Sequence, residues 1–337
     1  MHVAVTGATG TIGRALVDAL RERGDDVTAL SRNTGRAREL LPGAIAKKGG
    51  AAAREPEPGA LDVAAWADPK GGPPPLDALR GRDAVVNLLG EQIAQRWSDS
   101  VKREIRDSRV LSTRNLVRAL AELDEEERPR VLISQSGVGW YGFRGGEQLD
   151  ESAPSGDDFL ARLAVDWEAE AQRAADLGVR VVVNRTGMVL SESGALAKML
   201  PFFKAGVGGP VAGGRQYVSW VHLDDEVGAI LFELDTEAAR GPVNLTAPEP
   251  LTNREFSKAL GRVLRRPAFA PVPAFAVKAL YGEMASIVIT GQRAIPTKLT
   301  ELGYRFRRPD IENALRDVQG SRAPRARRST GSTPAGS

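Results

Sequence analysis

Short apolar, β-branched segments alternate with helical patterns from the first residues of the chain onward. Amphipathic stretches of helical length separate the strand-like segments HVAVTG, DVTALSR, DAVVNLLG, RVLISQSG and VRVVVNRTG. Strands that alternate with helices predict βαβ units and a parallel sheet that helices cover on both faces. The sequence therefore predicts an α/β fold with a Rossmann-type doubly wound parallel sheet, forming a domain over residues 1–187.

The composition changes at three places that mark boundaries within the chain. Residues 49–75 are rich in Ala, Gly, Pro and Glu, and we interpret them as a loop insertion with at most one short strand. After residue 187 a glycine-rich segment, further helices and one strand predict a smaller C-terminal substrate lobe over residues 188–320. Residues 321–337 are rich in arginine and lack interleaved aromatics, which predicts a disordered basic tail.

Residue counts limit the kinds of site that the chain can build. The sequence has no cysteine and two histidines, so thiolate metal sites and cysteine nucleophiles are excluded and no metal site is expected. We interpret His222 as a packed or hydrogen-bonded residue, and Asp224 and Asp225 as N-capping residues of a helix. The chain begins without a signal-peptide pattern and has no apolar run of membrane length. We therefore expect a cytoplasmic protein with neither a membrane nor a nucleic acid as partner.

The stretch TGATGTIGRAL follows the first predicted strand directly and opens a helix. Its glycines, Gly7, Gly10 and Gly13, permit a tight turn and let backbone amides approach a pyrophosphate at the positive end of that helix. A glycine pattern between a strand and a helix is the context that this motif needs. The stretch predicts a dinucleotide site.

The second predicted strand ends in ALSRN, which bears on the choice of cofactor. An acidic residue at this place accepts hydrogen bonds from the ribose hydroxyls of NAD. Ser31 and Arg32 instead offer a hydroxyl and a fixed cation to a 2′-phosphate. The sequence therefore favours NADP over NAD.

Several motifs together resemble an atypical branch of the short-chain dehydrogenase/reductase superfamily. This branch contains NADP-binding, sugar-nucleotide-epimerase-like proteins of the NAD-dependent epimerase/dehydratase type, sometimes labelled cell-division inhibitors, with a short C-terminal domain of their own. The resemblance spans about residues 1–320 and is carried, in order, by TGATGTIG, SRN, NLLGEQIAQRW, SRVLSTRNLV, SGVGWYG, RTGMVL, KMLPFFKAGVGGPVAGGRQYVSWVHLDDEV and GQRAIPTKLTELGYRF.

The resemblance implies a nucleotide pocket formed by the glycine-rich turn and by the ends of the neighbouring strands. Sequence position alone also supports Leu88, Leu89 and Gly90, because ligands bind at the carboxyl ends of strands in open α/β sheets. Glu104 and Arg109, five residues apart on one predicted helix, are expected to lean toward the same ligand. The predicted cofactor residues are Gly7, Thr9, Gly10, Thr11, Ile12, Gly13, Ser31, Arg32, Leu88, Leu89, Gly90, Glu104, Arg109 and Val189.

The chain departs from the superfamily at the catalytic dyad. Members use a tyrosine as acid/base, with a lysine four residues later that lowers the pKa of the phenol. In the corresponding segment, DFLARLAVDWEAEAQ, the two places fall on Leu160 and Ala164. Ser136 and Tyr141 remain as candidate catalytic residues: we expect Tyr141 to line the substrate side of the cofactor pocket, and whether it also transfers a proton stays open.

Two functions fit these features. The first is an NADP-dependent oxidoreductase or epimerase that acts on a sugar-nucleotide or another hydroxyl/carbonyl substrate. The second is a non-catalytic NADP-binding protein that senses redox state or regulates a partner, as the missing dyad suggests. Cations in the glycine-rich segment, Lys198, Lys204 and Arg215, could bind an anionic small-molecule substrate, and scattered surface cations are the commoner alternative. Dimerisation through sheet-flanking helices is common in the superfamily and would give a homodimer.

Overall fold

The computed structural model describes residues 1–41, 43, 45–46 and 59–320. The predicted tail, 321–337, and residues 49–58 of the predicted insertion lie outside the described residues. Within the described part of that insertion the chain forms one strand of five residues, Leu61–Ala65.

Fourteen strands and eleven α-helices are formed by the described residues. The strands are β1 His2–Thr6, β2 Asp26–Ser31, β3 Ile45–Ala46, β4 Leu61–Ala65, β5 Ala84–Asn87, β6 Val131–Gly137, β7 Gln148–Leu149, β8 Arg180–Thr186, β9 Met188–Leu190, β10 Tyr217–Val218, β11 Trp220–His222, β12 Gly241–Leu245, β13 Leu251–Thr252 and β14 Arg293–Ala294. The helices are α1 Thr11–Glu22, α2 Thr34–Leu40, α3 Asp99–Ala121, α4 Phe159–Gln172, α5 Gly194–Lys204, α6 Leu223–Asp235, α7 Asn253–Leu264, α8 Ala274–Tyr281, α9 Ala285–Ile289, α10 Thr297–Glu301 and α11 Ile311–Gly320.

Eight strands form the central sheet, in the order β12-β8-β6-β5-β1-β2-β4-β3. Every neighbouring pair is parallel. β1 lies between β2 and β5, so successive strands are added in opposite directions on its two sides, which makes β1 and β5 the switch point of a doubly wound sheet. The predicted Rossmann-type fold class is confirmed.

Apolar side chains on both faces of the sheet explain why its strands are continuous hydrophobic runs. On one face, strand residues pack with α1 and α6, where Leu16 and Ile230 are fully buried. On the other face they pack with α3 and α4, where Leu116 and Ala171 are fully buried. A parallel sheet covered in this way has no solvated face, so strict polar–apolar alternation is not required of its strands.

The smaller C-terminal region has an apolar cluster of its own, built mainly from α5, α7 and α11. Phe256 and Leu315 lie in it without exposure to solvent. Two elements that the sequence assigns to the lobe belong elsewhere: β12 pairs with β8 at one edge of the central sheet, and α6 packs on the sheet face beside α1. The central sheet and its covering helices therefore continue past residue 187, and the predicted domain boundaries stay a prediction.

The start of α6 differs from the sequence interpretation. The helix is capped by His222, whose Nδ1 accepts a hydrogen bond from the Asp224 amide at 3.1 Å. Asp225 is buried and accepts hydrogen bonds from the backbone amides of Arg307 and Arg308, at 2.6 and 2.8 Å. The Asp225 carboxylate thus fastens the C-terminal segment to α6, a contact that local capping patterns do not reveal.

Candidate cofactor site

The carboxyl ends of β1 and β5 approach each other so closely that only glycine fits between them. Gly7 has φ of +65°, and a Cβ added to it would lie 2.7 Å from the Leu88 carbonyl oxygen. A Cβ on Gly13 would lie 2.3 Å from the Gly7 carbonyl oxygen. The glycine pattern therefore meets two backbone requirements, a left-handed turn and a close helix–strand contact.

The first turn of α1 lies at this edge, and no side chain of the turn caps its free backbone amides or balances their positive charge. Gly10 is the N-cap residue and provides no side-chain hydrogen bond, and the first turn carries no acidic residue. Uncapped amides at a helix N-terminus bind anions, because the amides and the helix dipole both favour negative charge. Thr9 lies in the turn before the helix, and Ile12 packs against the apolar core. Thr11 is hydrogen-bonded through its hydroxyl to that of Ser193 in the lobe, at 2.7 Å.

The carboxyl end of β2 carries hydroxyl and cationic groups. Ser31 donates a hydrogen bond through Oγ to the Asn33 carbonyl at 3.1 Å, and Asn33 caps α2. Arg32 is exposed, and within the described residues its guanidinium has no acidic partner. The sequence from Ser31 to Thr34, SRNT, has no carboxylate that could accept hydrogen bonds from ribose hydroxyls.

A buried arginine lies beside the end of β5. Gly90 approaches the guanidinium of Arg109 so closely that an added Cβ would lie 2.8 Å from Cζ. Arg109 Nη1 donates to the Ile105 carbonyl at 3.0 Å, while its buried Nε has no partner within the described structure. Burial lowers the pKa of Arg109 to about 10, so the group remains charged at neutral pH. An unpartnered buried N–H on a cation fits a ligand acceptor.

Glu104 forms a surface ion pair and does not contact Arg109, and its role at the cofactor stays a prediction. Five residues on an α-helix turn the side-chain direction by about 140°, so Glu104 and Arg109 point to different sides of α3. Glu104 is partly exposed and binds Lys70 at 2.7 Å, which raises the pKa of that lysine. The predicted pair therefore divides into one buried cation at the edge and one surface ion pair.

The remaining predicted cofactor residues lie at the strand ends. Leu88 follows β5 and packs against the same apolar cluster as Val189, which lies on β9. Leu89 packs against the cluster on the opposite face of the sheet. The short strand β9 continues the chain beyond β8 and pairs with β11, so Val189 connects the sheet edge to the lobe.

Ser136 belongs to a buried charged cluster at the end of β6. Its Oγ donates to Glu168 Oε1 at 2.7 Å. Arg185, on the neighbouring strand β8, binds both oxygens of the same carboxylate, with Nε to Oε1 at 3.0 Å and Nη2 to Oε2 at 2.9 Å. The side chains of Arg185 and Glu168 are 4% and 11% exposed, so this bidentate pair is largely removed from water.

The Tyr141 phenol is engaged on both sides of its oxygen. The hydroxyl donates to Asn244 Oδ1 at 2.6 Å and accepts from Arg185 Nη1 at 3.2 Å. Burial, opposed by Arg185, raises the pKa of Tyr141 to about 12. A fully buried phenol with both hydrogen-bonding roles occupied is not placed to exchange a proton with a substrate. This geometry makes Tyr141 part of the packing, and its assignment to the substrate side of the pocket stays a prediction.

The places of the usual tyrosine and lysine are apolar in the folded chain as well. Ala164 is buried on α4, and Leu160 contacts the backbone region of Gly139. Arg185, which binds Ser136's partner Glu168 through two hydrogen bonds, is not among the predicted site residues. One signal was available: an arginine at the end of the apolar run VRVVVNRTG is unusual for a buried strand and suggests a charged partner.

Two buried carboxyl groups lie on the other face of the same strand ends. Glu226 Oε1 accepts hydrogen bonds from Gln135 at 2.9 Å and from Thr186 at 3.0 Å. Glu233, two turns later on α6, accepts from Asn184 at 2.8 Å. Burial raises the pKa of Glu226 to about 7 and that of Glu233 to about 8. No cation forms an ion pair with either carboxylate within the described residues, so desolvation dominates.

A cation of the lobe contacts the edge formed by the carboxyl ends of β1, β2 and β5 and the start of α1, which we call the cofactor edge. Lys198 on α5 donates to the Ala94 carbonyl, in the segment that follows β5, at 2.5 Å. Lys204 and Arg215 are exposed. None of the helices in the described part of the chain combines the length and the apolar character that crossing a membrane requires.

Comparisons with known proteins identify the family of the chain. The model of the NAD dependent epimerase/dehydratase family matches residues 3–245, and that of a domain of unknown function, DUF1731, matches residues 272–318. The chain belongs to the NAD-dependent epimerase/dehydratase family. The sequence resemblance, including the separate C-terminal domain, is thereby confirmed, and the cofactor class of this epimerase-family protein is NAD(P).

Individual relatives cover nearly the whole chain. The "Epimerase family protein SDR39U1 homolog, chloroplastic" of Arabidopsis thaliana is 40% identical over 319 residues, covering 94% of this chain and 86% of the relative. The epimerase family protein YfhF of Bacillus subtilis is 35% identical over 323 residues, covering 96% and 99%. A crystal structure of human epimerase family protein SDR39U1 (isoform2) with NADPH has a TM-score of 0.78 at 32% identity, covering 95% and 99%.

Replacing Gly13 tests whether the glycine-rich turn of this epimerase-family chain binds the cofactor. We expect Gly13→Ala to weaken NADPH binding at least about tenfold, because the new methyl group would meet the Gly7 carbonyl oxygen 2.3 Å away. Fluorescence titration with NADPH measures the change. Gly72→Ala is the matched control, since a Cβ there meets nothing within 4 Å. A folded Gly13→Ala protein with unchanged NADPH affinity would contradict cofactor binding at the glycine-rich turn.

Glu226 predicts a stability change with pH. Its pKa rises from 4.5 in the unfolded chain to about 7 in the fold, so the folded state binds more protons between these values. Stability should therefore fall as pH rises through that window and level off above it. We expect Glu226→Gln to reduce this fall in urea unfolding at several pH values. Glu237→Gln, at a site whose side chain is 90% exposed, should leave it unchanged; equal slopes in both variants would refute the assignment.

Proposed function

We propose that the protein is an NADP-dependent oxidoreductase or epimerase that acts on a hydroxyl or carbonyl group of a sugar-nucleotide or similar small substrate. The observation that carries the proposal is the uncapped start of α1 beside the exposed Arg32, with no carboxylate at the end of β2. The NADPH in the human relative's structure supports the same cofactor.

The residues present fit NADP in three separate places. The glycine-rich turn at Gly7 and Gly13 has no side chains that would keep a pyrophosphate from the backbone, and the free amides at the start of α1 favour its negative charge. Ser31 and Arg32 match a 2′-phosphate. Arg109, with its buried unpartnered Nε, offers a further donor beside β5. When bound, the cofactor supplies the hydride chemistry, and the protein supplies position, charge and protons.

Ser136 is the group that we assign to the substrate oxygen. Because its hydroxyl proton is donated to Glu168, the Ser136 oxygen is left with lone pairs that accept a hydrogen bond from a substrate hydroxyl. A proton leaving the substrate can then pass to Ser136 Oγ as the serine proton passes to Glu168 Oε1. Arg185 holds that carboxylate in place through two hydrogen bonds. Glu168 is thus a positioning residue and proton acceptor behind Ser136.

An anionic substrate agrees with the cations that flank the edge. Lys198 lies within reach of the segment after β5, and Lys204 and Arg215 are exposed in the same glycine-rich part of the lobe. Such cations bind the phosphates of a nucleotide sugar through charge-assisted hydrogen bonds. A cytoplasmic location stays a prediction.

A non-catalytic NADP-binding regulator is the second candidate. It is favoured by the apolar Leu160 and Ala164 at the places of the usual dyad, and by the buried, fully bonded phenol of Tyr141. In this case the cofactor edge serves as a sensor of NADPH, and the Ser136–Glu168–Arg185 cluster is structural. Turnover of a carbonyl and sugar-nucleotide panel separates the two candidates.

Cofactor choice is tested by removing one cation. Arg32→Ala should weaken NADPH binding by about tenfold or more, since a hydrogen bond to a charged group contributes about 1.5–3 kcal/mol. NADH affinity should change little, because NADH lacks the 2′-phosphate. Arg36→Ala, which removes an exposed arginine one turn into α2, is the control. Equal losses of NADPH and NADH affinity would refute the 2′-phosphate contact.

The proton pathway is tested by comparing three variants. We expect Ser136→Ala and Glu168→Gln to lower turnover of a responsive substrate by about 100-fold or more, with NADPH affinity retained. Tyr141→Phe should retain turnover within about threefold, because its hydroxyl is bonded to Asn244 and Arg185 and exchanges no proton with the substrate, while Glu168 still holds Arg185 through two hydrogen bonds. Steady-state kinetics with NADPH titrations measures both quantities. Loss of turnover in Tyr141→Phe alone would restore the phenol as proton donor, and no turnover in wild type across the panel would favour the regulator.

A further inference from the structure

A basic cleft lies on the C-terminal lobe, along α7 and the segment that follows it. The cleft has a volume of about 450 Å³. None of its residues belongs to the cofactor edge, and no acidic residue lines it. Five cations do: Arg254, Lys258, Arg262, Arg265 and Arg266.

Most of these cations lack an acidic partner. Arg262 binds Glu312 at 2.6 Å, and Arg254 donates to the Gly213 carbonyl at 2.9 Å. Within the described structure, Lys258, Arg265 and Arg266 form no ion pair, and all three are exposed. Glu255 acts on Lys258 electrostatically, yet the five cations outnumber their nearby carboxylates, so the cleft has net positive charge. A concave surface of one sign attracts ions of the other.

The placement of the charges on α7 opposes helix stability. Arg254, Lys258 and Arg262 follow one another at intervals of four residues, so they share one face, and like charges at this spacing repel. The carboxylate of Glu255, on the first turn, is engaged by the capping residue Thr252. Neighbouring α11 shows the ordinary arrangement, in which the next four-residue step pairs Glu312 with Arg316. The row of cations on α7 is thus only partly neutralised by carboxylates of the described chain.

The chain reversal after α7 gives the cleft its second wall. Arg265 has φ of +53°, an uncommon conformation for a residue other than glycine, and it turns the chain back across the helix. Gly261 permits this crossing, because a Cβ there would lie 2.5 Å from the Ala268 methyl group. The returning segment presents Phe269 at the rim with 80% of its surface exposed. A large exposed aromatic beside unpaired cations offers a stacking surface next to a charged one.

We propose that this cleft is a second ligand site, which binds a small molecule carrying several phosphate groups and an aromatic ring. The cations hold the phosphates, and Phe269 stacks on the ring. The volume is that of a small-molecule pocket, which favours a nucleoside polyphosphate over a polymer. The site is independent of the cofactor edge and of the chemistry assigned there.

The charged part of the site is tested with inorganic tripolyphosphate and ATP, by calorimetry on protein saturated with NADPH at low salt. We expect both probes to bind with one site per chain. The double variant Lys258→Glu/Arg266→Glu should weaken both at least tenfold. Arg118→Glu/Arg240→Glu, which makes the same change of net charge at exposed positions on other elements, is the control and should bind like wild type.

The stacking part is tested with Phe269→Ala, which removes an exposed side chain and leaves the cleft's charges unchanged. ATP affinity should fall severalfold in this variant while tripolyphosphate affinity stays the same, since only ATP has a ring to stack. Four results would overturn the proposal. The first is that neither probe binds, and the second is that the control double variant is weakened equally. The third is that ATP displaces NADPH, which NADPH fluorescence reports, and the fourth is preferential binding of a single-stranded oligonucleotide or an anionic vesicle.

Discussion

The buried guanidinium of Arg185 joins more parts of this protein than any other group in the candidate site. From β8 it binds Glu168 on α4, the phenol of Tyr141 after β6, and the Glu151 carbonyl in the connection to α4. It also stacks on Trp140, with Cζ 3.8 Å from the ring centroid. Removing one partner from a buried pair leaves the other charge uncompensated. The position of Ser136, which depends on Glu168, is therefore tied to this arginine.

Arg185 also explains how the fold tolerates the loss of the usual dyad. In the superfamily a lysine supplies the cation near the reacting oxygen from the same helix as the tyrosine. Here α4 supplies a carboxylate, Glu168, and the cation comes from the neighbouring strand. Because the pair is bidentate, its charge is neutralised locally and the apolar residues Leu160 and Ala164 can occupy the dyad positions without leaving an unpaired charge nearby.

The sequence predicts the features of this protein that depend on local order. Strand and helix positions follow from hydrophobic periodicity. The glycine-rich turn follows from the spacing of Gly7, Gly10 and Gly13, because the backbone there leaves no room for a side chain. Two other features depend on strand order. They are the position of β12 beside β8 and the Tyr141–Asn244 hydrogen bond, which joins residues 103 apart. No local pattern encodes such contacts. The Lys70–Glu104 ion pair likewise joins α3 to a residue outside the helix.

Alternation along the parallel strands separates two electrostatic environments at one edge of the sheet. On β6, Ser136 faces α4 and its charged pair, whereas Gln135 faces α6 and binds Glu226. The first face holds a neutralised ion pair, and the second holds a carboxyl group whose raised pKa keeps part of it protonated near neutrality. Pairing with Arg185 on the first face and partial protonation on the second both reduce the negative charge beside these strand ends. An edge of this kind favours the phosphates and the electron-rich oxygen atoms of ligands, because little of the negative charge of these two carboxyl groups opposes them.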